Sequence, residues 1–177
     1  MEQRRARTPT YRDSVTMRNV KPLLALGLIL ACCASLSAAD RPRPFKTGSL
    51  SEIVATQEGK PFLLNVWSLT CSACRAEMNM LAKLRKEYPD FNLVLVATDD
   101  IARSAEVQAF LLERGLAQVD SWIFAEPNPQ RLRYEIDSGW YGELPRSYFY
   151  DARHERLGVS GALKSEQIQA WLQATSP

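Results

Sequence analysis

Leu63-Leu64-Asn65-Val66-Trp67-Ser68-Leu69-Thr70-Cys71-Ser72-Ala73-Cys74 decides the reading of this chain. Residues 63–67 read as an apolar strand, 68–70 as a short loop, and Cys71 onward as a helix. Two thiols three positions apart at a helix start can close a small disulfide ring. The first sulfur then lies beside backbone N–H groups without intrahelical partners and beside the positive end of the helix dipole. Both favour thiolate over thiol. That is the arrangement of a disulfide-exchange site.

Working outward, the chain has 177 residues, enough for one domain with a real core. Residues 1–39 read as a signal peptide. Arg4, Arg5, Arg7, Arg12, Arg18 and Lys21 supply positive charge, residues 22–39 carry none, and Ser37-Ala38-Ala39 offers the small residues of a cleavage site. Met17 is an alternative start. The apolar stretch also approaches the roughly 17–25 residues that would let it stay as an uncleaved anchor. Ser and Ala in its second half favour cleavage.

Removing 1–39 changes the charge from +2 to about −2, with 16 Lys+Arg against 18 Asp+Glu remaining, so no basic face suggests nucleic acid. Cys32 and Cys33 leave with the signal, and only Cys71 and Cys74 remain. A small scaffold held by disulfides would need more cysteines, at scattered spacings. One close pair suits catalysis better than bracing, because closing so short a loop restricts the unfolded chain comparatively little.

Residues 40–47, with Arg41-Pro42-Arg43-Pro44, read as an extended lead-in, and 48–177 as the folded domain. A short helix is expected over 49–57, with Leu50, Ile53 and Val54 on one face. The apolar run 62–67 suits a strand covered on both sides. The helix after Cys71 turns Met78, Leu81, Ala82 and Leu84 inward and stops at Pro89. A second buried strand spans 91–98. A helix capped by Ser104 follows, with Val107, Phe110 and Leu111 as its stripe and Gly115 at its end. A short strand at 121–124, a helix at 128–134, strands at 146–150 and 156–160, and a last helix from Ser165 burying Ile168, Trp171 and Leu172 complete the pattern. This alternation predicts an α/β sandwich with a mixed central sheet.

With these elements in order, the chain resembles the thioredoxin superfamily, and within it the exported TlpA/ResA/CcmG-like branch, over roughly residues 48–175. The carriers are Leu64-Asn65-Val66-Trp67, Cys71-Ser72-Ala73-Cys74, Arg75-Ala76-Glu77-Met78 with Leu81, Gly142-Glu143-Leu144-Pro145, and Ser147-Tyr148-Phe149-Tyr150-Asp151. Residues 158–163 resemble the glycine-containing segment before the family's last helix. The resemblance implies a thioredoxin-like three-layer sandwich, its mixed β-sheet flanked by helices. Three positions depart from the pattern. Thr70 stands before the first cysteine where relatives often have Trp. Asn79 stands where the branch often has proline, and Asn65 replaces the buried acid of the thioredoxins themselves.

The chemistry expected divides between two sulfurs. Cys71, more exposed, attacks a substrate disulfide as thiolate, and Cys74, one turn deeper, resolves the mixed disulfide. Glu77 lies three residues after Cys74 on the same helical face, where a partly buried carboxylate can accept its proton. The resemblance supports that role; the alternative is a solvated acid paired with Arg75. The resemblance also implies that Pro145 is cis, facing the cysteines. Leu144, Pro145 and Thr70 would then form the surface shown to substrate. Trp67 reads as packing, with Trp140 and Tyr141 as candidates for the rim. His154, the one histidine, reads as a solvated turn residue.

The function implied is an exported, periplasmic thiol–disulfide oxidoreductase without cofactor or metal. The Ser72-Ala73 dipeptide, lacking His, leans toward the reductase direction. Family clients would be disulfide-bearing proteins such as apocytochrome c or metal-site assembly proteins, with a membrane thiol reductant of DsbD/CcdA type restoring the dithiol. The competing class is a copper-handling protein, since two thiolates suit soft Cu(I).

Overall fold

The computed structural model describes residues 41–175. Along them run β1 (Arg43–Phe45), α1 (Ser49–Thr56), β2 (Phe62–Trp67), α2 (Ser72–Glu87), β3 (Leu93–Asp100) and a 3-10 turn (Ile101–Arg103). Then follow α3 (Ser104–Glu113), β4 (Asp120–Phe124), α4 (Pro129–Ile136), β5 (Arg146–Tyr150), β6 (Arg156–Ser160) and α5 (Ser165–Thr175). The strands form one mixed sheet in the order β1-β4-β3-β2-β5-β6. The first four are parallel, and β5 and β6 join antiparallel.

The period-2 alternation of the strands sorts side chains onto two faces. Leu63 and Trp67 of β2, Leu93, Leu95 and Ala97 of β3, Ile123 of β4 and Phe149 of β5 pack with Met78, Leu81 and Leu84 of α2, Val107 and Phe110 of α3, and Ile168 of α5. Phe62, Leu64 and Val66, Val94 and Val96, Trp122 and Phe124, and Tyr148 and Tyr150 turn the other way, onto Ile53 of α1 and Leu132 and Ile136 of α4. All six residues of β2 are buried, as the continuous apolar run predicts.

Four expectations need correction. The lead-in is extended, but it belongs to the sheet: β1 pairs with β4 through Arg43↔Trp122, Pro44↔Ile123 and Phe45↔Phe124. Pro44 is tolerated because β1 is an edge strand. The second strand starts at Leu93, not Phe91, whose N–H instead closes a turn onto Tyr88 O (2.9 Å). Ser104 does not cap α3. It is the first helical residue, and the cap sits earlier, where Asp100 Oδ1 accepts the Ala102 N–H (2.8 Å) at the start of the 3-10 turn. In α5 only Ile168 is fully buried; Trp171 and Leu172 are half-buried.

Elsewhere the boundaries agree. Gly115 (φ +71°) ends α3 with its own N–H on Leu112 O (3.0 Å) and the Leu116 N–H on Leu111 O (2.9 Å), the reversal that favours glycine. α2 runs unbroken through Asn79. The expected signal at 1–39 lies outside the described residues.

Candidate active site

The site is assembled where β2 gives way to α2. Trp67 is fully buried and stacks on Phe110 of α3 (5.0 Å between centroids), which confirms it as packing and pins the strand end. The loop then folds tightly. Ser68 Oγ accepts the Thr70 N–H (3.1 Å) and pairs with Thr70 Oγ1 (2.9 Å), while the Cys71 N–H reaches Ser68 O (3.2 Å). Cys71 is the N-cap of α2: its Sγ accepts the Cys74 N–H at 3.1 Å. The two cysteines form a disulfide, with 5.2 Å between Cα atoms.

Their exposure differs as the sequence predicts. Cys71 is half-buried, whereas Cys74 has no accessible surface and packs within the core on the α2 face. Ser72, Ala73 and Thr70 around them are exposed. A sulfur at the N-cap of a 16-residue helix meets orphan N–H groups and the dipole's positive end, surroundings of the kind that favour a thiolate over a thiol.

Glu77, one turn along α2, is buried rather than solvated, and it does not pair with Arg75. Oε1 accepts the Leu163 N–H (2.7 Å) and Oε2 accepts Asn65 Nδ2 (3.0 Å). Burial pushes its pKa above the ordinary 4.5, against the lowering effect of those two hydrogen bonds. Asn65 Nδ2 also donates to Ser147 Oγ (2.9 Å), while Asn65 Oδ1 has no partner among the described residues. A buried carboxylate with a raised pKa, held on the face of α2 that carries Cys74, has the properties of a proton acceptor.

The Leu144–Pro145 bond is cis. Because β5 pairs with β2 through Arg146↔Val66, Pro145 comes level with Trp67, at the strand end that leads into the cysteine loop. Pro145 is buried and Leu144 half-buried against both cores. Trp140, a rim candidate, is instead buried and donates Nε1–H to Glu143 O (2.8 Å), supporting the proline loop from beneath. Tyr141 is 96% exposed. Arg146 braces the loop's other side by donating to Ser160 Oγ (2.7 Å) and Asp137 Oδ2 (3.0 Å), and Ser160 Oγ in turn donates to Glu143 Oε1 (2.6 Å). Gly158 leaves room for this guanidinium, since a Cβ there would collide with Arg146 Nη2.

His154 is half-buried, not solvated, and sits in the β5–β6 turn (φ +60°) with its ring edge-on to Phe62 at 6.0 Å between centroids. Phe62 opens β2 and the cysteines follow its far end, five residue steps or ~17 Å along the strand.

Three participants escaped the sequence reading. Ser147 and the Leu163 N–H complete the polar cluster around Asn65 and Glu77. Asp99, at the end of β3, accepts the Leu69 N–H on Oδ2 (2.9 Å) and Arg103 Nη1 on Oδ1 (2.8 Å). A polar residue at the end of an apolar strand was its only signal.

No family model matches the sequence. The chain is 28% identical over 122 residues to thiol-disulfide oxidoreductase ResA of Oceanobacillus iheyensis, covering 68% of this chain and 59% of that one. Among solved structures it is similar to a secreted Mycobacterium tuberculosis disulfide oxidoreductase homologous to E. coli DsbE, with TM-score 0.53, 21% identity, and 68% and 85% of the two chains covered. It is also similar to the thiol:disulfide interchange protein of Chlorobium tepidum, with TM-score 0.56, 18% identity, and 68% and 83% covered. The fold is thioredoxin-like. On this thioredoxin-like frame the Cys71–Cys74 pair, cis-Pro145 and buried Glu77 converge at one end of the sheet. The chain spans less than two thirds of the length of the curated relatives it matches.

Proposed function

We propose that this chain is an exported thiol–disulfide oxidoreductase that reduces disulfides in client proteins through Cys71 and Cys74. The observation that carries the reading is the asymmetry of the pair: a half-buried sulfur at the N-cap of α2 bridged to a sulfur with no accessible surface. In the reduced state the Cys71 thiolate attacks a client disulfide. One client sulfur leaves as thiolate, and a mixed disulfide forms. Cys74 then gives its proton to Glu77 and attacks Cys71 Sγ. The second client sulfur leaves, and the two electrons lost by the dithiol now reside in the client's two thiols.

Leu144, Pro145 and Thr70 form the surface against which the client lies, as an extended segment beside the cis-proline loop. The names of the ResA relative and of the DsbE-like and interchange-protein structures support the oxidoreductase class. Residues 1–39 direct export to the periplasm, either cleaved or retained as an anchor. A membrane thiol carrier of the DsbD/CcdA kind returns the dithiol, and apocytochrome c or metal-site assembly proteins are clients of suitable chemistry. No observation favours the copper reading: His154 packs on Phe62, which opens β2, and the cysteines follow the opposite end of that strand.

The test is covalent capture. Cys74→Ser should trap Cys71–client adducts, and Cys71→Ser should abolish them. A glutathione titration of the purified domain should give a clearly negative potential. If neither thiol forms a mixed disulfide and the dithiol binds Cu(I) tightly, the copper reading replaces this one. A potential near the DsbA end of the scale would reverse the direction to oxidation.

A further inference from the structure

The loop that presents Cys71 is tied to a carboxylate outside the redox motif. The β3–β4 register jumps from Ala97↔Ile123 to Asp100↔Phe124, so Thr98 and Asp99 leave the ladder with β4. At that irregularity Thr98 Oγ1 reaches Trp67 O (3.4 Å), and the Asp99 side chain, 2% exposed, turns to the cysteine loop. One oxygen accepts the Leu69 N–H, and the other is neutralised by Arg103. Arg103 is itself held by Glu106 through Nε–Oε1 (3.2 Å) and Nη2–Oε2 (2.8 Å).

A buried carboxylate costs several kcal/mol unless it is paired and hydrogen-bonded. Here both oxygens are satisfied, one by the cation and one by the loop. Leu69 is two residues before Cys71, so their Cα atoms lie within ~7.6 Å. A hydrogen bond at Leu69 therefore constrains where the chain enters α2. Cys71 Sγ must stay within reach of the Cys74 N–H (3.1 Å) for the helix end to favour its thiolate.

We propose that Asp99 is a positioning residue for the disulfide-exchange site: held by Arg103, its carboxylate fixes the 68–70 loop through the Leu69 N–H and so sets the pose of Cys71 on α2. This role rests on the oxidoreductase reading above. Asp99 touches neither sulfur nor client; it acts through the loop.

The test separates the hydrogen bond from the charge. In a Cys74→Ser background, the iodoacetamide alkylation rate of Cys71 at pH 7 is measured for the parent and for two variants of equal net charge. Asp99→Leu with Arg103→Met removes the acceptor and keeps the branching of the side chain. Asp99→Asn with Arg103→Met keeps an acceptor oxygen for the Leu69 N–H. The Leu variant should react about fivefold more slowly and the Asn variant within about twofold of the parent, as expected for one net hydrogen bond. Leu69 amide exchange should accelerate only in the Leu variant.

Equal rates in all three proteins, or equal slowing in both variants, would overturn the proposal. If the Leu variant does not fold, Asp99→Ala with Arg103→Met takes its place. Failure of both to fold would assign the pair to stability alone and overturn the role. An inert parent Cys71 is a different outcome, because it removes the oxidoreductase reading and this role with it.

Discussion

The α1/α4 face of the sheet is rich in aromatic side chains: Phe62 and Tyr150 stack at 4.2 Å, Phe45 stacks on Phe124 at 5.6 Å and meets Trp122 edge-on at 6.2 Å, and Tyr148 lies among them. The α2/α3/α5 face is mainly aliphatic, and it encloses Cys74 with three buried polar side chains, Asn65, Glu77 and Ser147. The first face collects area and aromatic contact, each worth stability. The second gives up apolar area for a hydrogen-bonded cluster beside a sulfur, and such a cluster breaks about even at best. The contrast teaches that one side of the sheet holds the molecule together while the other accommodates chemistry.

The hardest test of this division is Trp122→Ala. Removing a buried indole that meets Phe45 edge-on and lies under the Arg43 guanidinium (3.9 Å) should cost about 3–5 kcal/mol in denaturant unfolding. The glutathione midpoint of the cysteine pair should not move. A shifted midpoint would mean that the faces are coupled.

Glu77→Gln should do the reverse, slowing resolution of the mixed disulfide by about a hundredfold in single-turnover kinetics. The variant keeps one oxygen for the Leu163 N–H and removes the buried charge, so its stability relative to the parent depends on pH. The pH dependence has a definite sign. Burial raises Glu77 above 4.5, so between that pH and its folded value the native state binds more protons than the unfolded chain. Stability therefore falls across this window as pH rises. The Gln variant should gain on the parent through the window and level off above it; a relative loss would mean that Glu77 is stabilised as an anion.

Ser147→Ala is the finest probe. It deprives one Asn65 N–H of its acceptor (2.9 Å), which should cost about 1–2 kcal/mol and leave the capture of clients by Cys71 intact.

Legibility in the sequence followed the same division. Periodicity located α2 and its inward residues Met78, Leu81, Ala82 and Leu84, because a buried helical face repeats at 3.6, and the spans of β5 and β6 were also legible. β1 was hidden by Pro44, which reads as a break until its position at a sheet edge is known. Trp140 could not be told from a rim residue, since its burial depends on a fold around Glu143 O. The bulge that aims Asp99 is a long-range pairing irregularity, and no local signal encodes it.

Where the two sulfurs stand, and in what order they are exposed, is already written in the order of residues, because a helix start and a three-residue spacing are local geometry. Tertiary structure alone decided that Glu77 is a buried carboxylate rather than a surface one, because its partners at Asn65 and Leu163 come from β2 and from the segment before α5. It likewise decided that Asp99 meets Leu69 across 30 residues of chain. Proton affinity and pose are set by neighbours brought together in space, and only the folded chain supplies them.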